Sequence, residues 1–416
     1  MPVPFSRLEF AVQRIVQETP IVDMHTHLYP PSFGGLLLWG IDELLTYHYL
    51  IAEVMRVAEI NYDDFWKMNK TQQADLIWDE LFIKRAPISE ACRGVVTVMR
   101  NLGLDPSTRN LQEVRDYFHE ADVNEYIELV FTKANVMYGV MTNDPFDKTE
   151  TPFWDSIGGN HPRLQAALRI DPLLIAWDQA ADTLREQGYE VDSTLNEKTY
   201  ASVRKFLADW AKKMKPRYLA VSLGPDFVYP DDSVTTKIID NCILPFTREA
   251  GIPFALMIGV KRSVNSKLKL AGDGVGRADL SCLENLLDKN PDNKFFATLL
   301  SRENQHEFCV LARKFPNLMP FGCWWFMNNP SLIDEITRER LELLGWSMIP
   351  QHSDARVLDQ LLYKWPHSRN IVAQVLIEKY QDIVDSGWKV FESEIHRDVS
   401  RLFAQNFEDF APAMDG

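Results

Sequence analysis

Cysteine is scarce in this 416-residue chain, and what there is does not pair by pattern. The five cysteines, Cys92, Cys242, Cys282, Cys309 and Cys323, are scattered, odd in number and free of any CxxC spacing. That excludes a disulfide framework and a thiolate zinc module, and fits reduced thiols in a cytosol. Long apolar runs are also missing. The most apolar stretch near the start, Leu36-Leu37-Leu38-Trp39, is far too short to span a bilayer, and residues 1–20 mix charges among their apolar positions without a signal-peptide core. A soluble, cytoplasmic protein is the expectation. Positive charge is in deficit, with 44 Lys and Arg against 59 Asp and Glu, for a formal charge of −15. A field of that sign repels nucleic acid and anionic lipid, so neither is an expected partner. An anionic small substrate would be repelled as well, and would need a local arginine cluster to hold it.

No short-period repeat and no low-complexity linker interrupts the chain. A βα rhythm recurs instead. Apolar, β-rich runs fall at residues 20–25 (PIVDMH), 136–142, 165–171, 218–223, 253–259, 294–300, 318–324 and 347–352, separated by longer helical segments. Nearly continuous apolar strands between helices imply a parallel sheet covered on both faces, and eight of them suggest closure. The fold class read from this is α/β, a (β/α)8 TIM-type barrel occupying residues 1–416 as one domain. Pro320 and Pro350 lie inside the last two runs, where a missing N–H weakens a strand. Residues 41–122 carry no good strand. Ser89 can cap a helix with Val95, Val96, Met99 and Leu102 on one face and Gly103 as its stop. This stretch reads as a helical insertion after strand one, where a cap over a barrel's active site would sit. Residues 371–410 read as a C-terminal helical extension wrapping the barrel.

The chemistry concentrates at strand ends. Asp23-Met24-His25-Thr26-His27 closes the first run, and residues two apart on a strand share a face. His25 and His27 can thus present two imidazoles to one divalent cation. His352-Ser353-Asp354-Ala355-Arg356 closes the eighth run. Strands one and eight are neighbours in a closed barrel, so Asp354 can face the two histidines as a ligand or as a base, or simply cap the next helix. Arg356 offers a fixed cation for a developing oxyanion.

An HxH at strand one with an Asp after strand eight resembles the amidohydrolase superfamily. The chain is most similar there to the uronate isomerases, through His48-Tyr49, Ser301-Arg302-Glu303-Asn304, Trp324-Trp325-Phe326 and Asp354-Ala355-Arg356. The resemblance runs from about Asp23 to Arg356. Hydrolytic members add a Lys or Glu on strand four and histidines on strands five and six. Here those positions read Val221-Ser222-Leu223 and Ile258-Gly259-Val260-Lys261, and His306 lies several residues past strand six. The resemblance therefore implies a single metal held by His25, His27 and Asp354, with zinc as the ion and no absolute need for it in catalysis. It departs from the larger branch of the family after His48, where Leu50 to Arg56 is one residue longer and less basic. The register of His48 against Tyr49 stays open for that reason.

The implied activity is aldose–ketose isomerisation of a uronic acid, either D-glucuronate to D-fructuronate or D-galacturonate to D-tagaturonate. Asp354 would handle the C2 proton, Arg356 the carbonyl oxygen, and Tyr49 with His48 the C1 side. Arg302 and Arg169 are the candidates for the substrate carboxylate, since a guanidinium fork matches it. Trp324 and Trp325 would wall the pocket. A mononuclear decarboxylase or lactonase on the same scaffold, a non-catalytic sugar-acid binder and a homo-oligomeric state all stay open.

Overall fold

The computed structural model describes residues 3–156, 159, 161–192 and 194–414. Its centre is a curled, seven-stranded parallel sheet. In spatial order these are β1 (Ile21–Thr26), β2 (Val136–Asn143), β3 (Leu164–Arg169), β4 (Leu219–Leu223) and β5 (Phe254–Ile258), then β8 (Phe295–Leu299) and β9 (Leu318–Pro320). A two-residue antiparallel hairpin, β6 (Val260–Lys261) with β7 (Gly274–Val275), stands apart from the sheet just after β5. The sheet is parallel, with helices in each connection between its strands, as in a TIM-type barrel. The strands are buried along nearly their whole length, which is why they read as continuous apolar runs rather than alternating ones.

The seventh and eighth runs expected from sequence are the ones the structure shortens. β9 stops at Pro320 instead of continuing to Trp324. Gly322 and Trp325 both take left-handed backbone (φ +63° and +48°), which no ladder accommodates. Residues 347–352 form no regular strand among the described residues. A single parallel bridge joins Ile349 to Phe321, and Pro350 contributes no donor. The segment still spans the gap between the sheet's two edges. Ile349 N–H donates to Pro320 O (2.9 Å) on one side, and Asp354 N–H donates to His25 O (3.1 Å) on the other.

Between β1 and β2 lie only helices, among them Ile41–Leu45, His48–Val54, Lys70–Trp78, Glu90–Leu102 and Leu111–Glu120. Ser89 caps Glu90–Leu102 by accepting from Cys92 N–H, and Gly103 ends it at φ +80°. The helix Leu361–Asp385 runs beside the site and contains Pro366. A proline there leaves the carbonyl of Leu362 without its helical donor, and Asn101 Nδ2 supplies one at 2.6 Å. The chain's last described turns do more than wrap the outside. Phe407 and Ala411 are buried in one cluster with the sheet's inner residues Val22, Met24, Tyr218 and Phe296. Arg217 fixes them there through Ala411 O and Glu408. No helix among the described residues is long and apolar enough to cross a membrane.

Candidate active site

The site begins with an irregularity in β1. Asp23 pairs with Gly139 and Thr26 with Met141, so three residues of β1 advance against two of β2. The extra residue is a bulge, a device common beside active sites because it re-aims side chains. Upstream of it Val22 and Met24 join the inner cluster. Downstream, His25 and His27 both line one cavity at the carboxyl ends of the strands. Asp23 is left pointing the other way, toward the helix Leu361–Asp385.

His25 and His27 are fixed in the same tautomer by their neighbours. The Tyr218 hydroxyl donates its one proton to Met24 O (2.6 Å), so at 3.1 Å it accepts from His25 Nδ1–H. The Thr142 hydroxyl donates to Thr26 O (3.1 Å) and accepts from His27 Nδ1–H at 2.8 Å. Each ring therefore turns a bare Nε2 toward Asp354, 3.7 Å from Oδ1 for His25 and 3.3 Å for His27. Burial holds both imidazoles neutral, His25 down to about 3 and His27 well below its ordinary value. Asp354 Oδ1 is buried and has no hydrogen-bond partner among the described residues. Three lone-pair donors within 4.8 Å of one another, with no proton between them, form a set that a divalent cation fits.

The rest of the lining divides by charge. Arg169 on β3 is held bidentately by Asp171 (2.7 and 3.0 Å), and Arg262 on the hairpin is paired with Asp273 (2.6 Å). Arg356 also lines the cavity, and its guanidinium has no side-chain partner among the described residues. It is the uncommitted cation of the three. His48, on the helix His48–Val54, enters with its Nε2 unpartnered, and burial lowers it to about 3, so it is a neutral imidazole. Trp324 and Trp325 form a wall, with the Trp325 ring 5.6 Å from that of His48.

Two of the residues expected from sequence lie elsewhere. Tyr49 does not line the cavity. Its ring packs behind Tyr47 and His48, 4.9 and 4.5 Å away, and Tyr47 takes the lining position. The short helix starts at His48, so Tyr47 is its N-cap and turns inward while Tyr49 is carried round the helix. Arg302 is more plainly displaced. It sits in the turn after β8 and is exposed on the outer surface, where it binds Glu335 of the helix Pro330–Leu344 (3.0 Å). His306 is also outside, exposed and bonded to Glu339 (2.8 Å). Arg302→Ala is expected to leave kcat/KM within about twofold of the parent, because exposed ion pairs contribute little. Steady-state kinetics on the purified variant checks this.

Sequence reasoning missed Tyr47, Arg262, Asp273, Asp171, Thr142 and Tyr218. An available signal was that Arg262 follows a strand end, the position that nominated Arg169. Nothing in the sequence marked Tyr218 or Thr142, whose role depends on which backbone carbonyl each hydroxyl meets.

One acid near this site titrates unusually. Asp144, just past β2, is largely buried, and burial raises its carboxyl to about 6. Its value in the unfolded chain is near 3.8, so between these two pH values the folded protein binds more protons than the unfolded. Stability therefore falls as pH rises through that window. Asp144→Asn keeps an acceptor for Phe146 N–H (2.8 Å) and removes the buried charge. It is expected to stabilise the protein by on the order of 1–2 kcal/mol at pH 7.5 and by almost nothing at pH 4. Thermal melts of both proteins at the two pH values check it.

Two imidazoles and a carboxylate at the carboxyl ends of a curled parallel sheet define the class as an α/β-barrel protein of the amidohydrolase type. The chain superposes on a uronate isomerase from Bacillus halodurans C-125 with a TM-score of 0.97 and 54% identity, covering 100% of this chain and 98% of that one. It belongs to the uronate isomerase family. A uronate isomerase from Thermotoga maritima shares the fold (TM-score 0.79, 15% identity, 99% of this chain and 100% of that one). So does a glucuronate isomerase from Caulobacter crescentus (TM-score 0.79, 13% identity, 98% and 94%). No family model and no curated protein matches the chain.

Proposed function

We propose that the protein isomerises a hexuronate, converting an aldose acid such as D-glucuronate or D-galacturonate to its ketose acid. The observation that carries this is the convergence of Asp354, with its unpartnered Oδ1, and the uncommitted Arg356 in one cavity of a chain 54% identical to a uronate isomerase. The net change moves one proton from C2 to C1 and one from the C2 hydroxyl to the C1 oxygen. Asp354 is the base within reach of a C2 proton. Arg356 faces the carbonyl oxygen and stabilises the charge that gathers there. His48, neutral and unpartnered, and Tyr47 stand on the C1 side, where the sequence alone points to Tyr49. Arg169 keeps Nη1 free of Asp171 and can take the substrate carboxylate with Arg262, in place of Arg302. Trp324 and Trp325 exclude water from the opposite wall.

His25, His27 and Asp354 would hold one zinc ion, which supplies Lewis acidity to a substrate oxygen. The lining of β4 and β5, Ala220, Val221, Ser222 and Met257, adds no second set of ligands, which suits a mononuclear site. The segment 347–355 is read as the eighth barrel position, and helices within 41–122 as the cap that brings Tyr47 and His48 to the mouth. A cytoplasmic location and a sugar acid as the small-molecule partner complete the reading.

The test is incubation with D-glucuronate and D-galacturonate in D₂O, followed by NMR. Ketose formation supports the proposal, and deuterium at C1 of the ketose supports proton transfer through an enediol. Unchanged sugars with zinc-replete protein would sink it.

A further inference from the structure

Asp354 is one of six non-glycine residues among those described with left-handed backbone, at φ +51°. Such a conformation at a functional residue costs energy and persists only where the surroundings hold it. The hydrogen bonds around the preceding residue show what holds it. Ser353 N–H donates to Asp23 Oδ1 (3.0 Å), and Ser353 C=O accepts from Lys364 Nζ (2.6 Å). Asp23 is held in turn by Trp365 Nε1–H at 2.8 Å on its other oxygen. Asp23 and Lys364 are both buried, at 0% and 4% exposure. They form no ion pair with each other, so the backbone of Ser353 separates the two charges. On the far side, Asp354 N–H bonds to His25 O and Ala355 O accepts from His27 N–H.

We propose that Asp23 and Lys364 are positioning residues that clamp the Ser353 backbone and so aim the Asp354 carboxylate at His25, His27 and the substrate. A buried carboxylate and a buried ammonium are expensive to keep in a protein interior. Apolar residues of the same volume would hold up the fold at lower cost. Their presence is explained when their work is done on Asp354. Neither side chain lines the cavity, so neither acts on substrate directly. The inference rests on the functional reading above for the identity of the reaction, but not for the clamp itself.

Lys364→Met, Asp23→Asn and the double variant test it, each read by zinc affinity in a chelator competition, by kcat and KM on the active uronate, and by melting temperature. The clamp predicts zinc affinity and kcat each lower by about 10- to 100-fold, the usual range for groups that orient a ligand. KM should stay within about threefold, and the melting temperature of Lys364→Met should be unchanged or higher. The double variant should lose less than the product of the two single losses, because both groups act through one backbone segment. Wild-type zinc affinity and kcat in either folded single variant overturns the proposal. A fall in melting temperature with zinc affinity and kcat intact also overturns it, as does failure of both variants to fold, since the groups would then support the fold alone. If the parent turns over no uronate, the functional reading fails while the zinc arm still decides the clamp. If the parent takes up no zinc, kcat decides it.

Discussion

Asp354→Asn is expected to lower kcat on the uronate substrate by about 10²–10⁴-fold, the range typical of a placed general acid or base. Asparagine has the same shape but accepts no proton at working pH and carries no charge to offer a cation. It is also one of the few residues that tolerates left-handed backbone, so the φ of +51° at this position is kept. Melting temperature should therefore barely move. The measurement is steady-state kinetics beside a circular-dichroism melt of the same preparation. A kcat within tenfold of the parent, from a folded variant, would remove Asp354 from the chemistry.

Gly322→Ala is expected to have the largest effect on stability. Gly322 has φ +63°, and a Cβ added there would lie 1.7 Å from His352 Nδ1 and 2.4 Å from Cε1. The ring cannot step aside. It is fully buried, with Phe321 and His25 each 5.3 Å away between ring centres. The glycine backbone cannot shift either, because its N–H is given to Ile349 O and its C=O is taken by the buried Arg340 (2.8 Å). A loss of more than about 4 kcal/mol is expected, in the class of changes that overpack a core and strain the backbone together. Gly251→Ala is the control. It has a similar φ, +68°, in the ordinary left-handed region (ψ +18°), with nothing within 4 Å of the added Cβ, and should lose only about 1–2 kcal/mol from strain. Equal losses in the two variants would mean that the contact with His352 is not the cause.

The parts of this molecule legible in its sequence are those where one residue type at one spacing has one physical meaning. Six of the eight expected runs became strands near their expected bounds, because a strand buried on both faces is apolar throughout. His25, His27 and Asp354 came together because strand ends collect at one mouth. Direction within a turn was not legible. Arg302 and Arg356 follow comparable runs, yet one faces Glu335 outside and the other lines the cavity, and that depends on backbone angles the residue names do not encode. Tyr47 and Tyr49 flank the same histidine, and a helix start one residue later would exchange them. The bulge that separates Met24 from His25 left no mark either. Inward alternation through residues 22, 24 and 25 requires an irregularity that a period-two reading passes over.

The bonds that join β1 to the segment around Asp354 set a timetable for synthesis. Asp23 and Ser353 are 330 positions apart. At about 5–20 residues per second, the ribosome delivers Ser353 roughly 15–70 seconds after Asp23. Phe407 and Ala411, which fill the space beneath Met24 and Tyr218, emerge later still. Throughout that interval one edge of β1 has no neighbour, and its apolar residues and two histidines wait beside growing helices. An unpaired apolar edge is a template for pairing with another chain. The yield of active protein should therefore depend on chaperone supply and translation temperature more than the buried core would suggest.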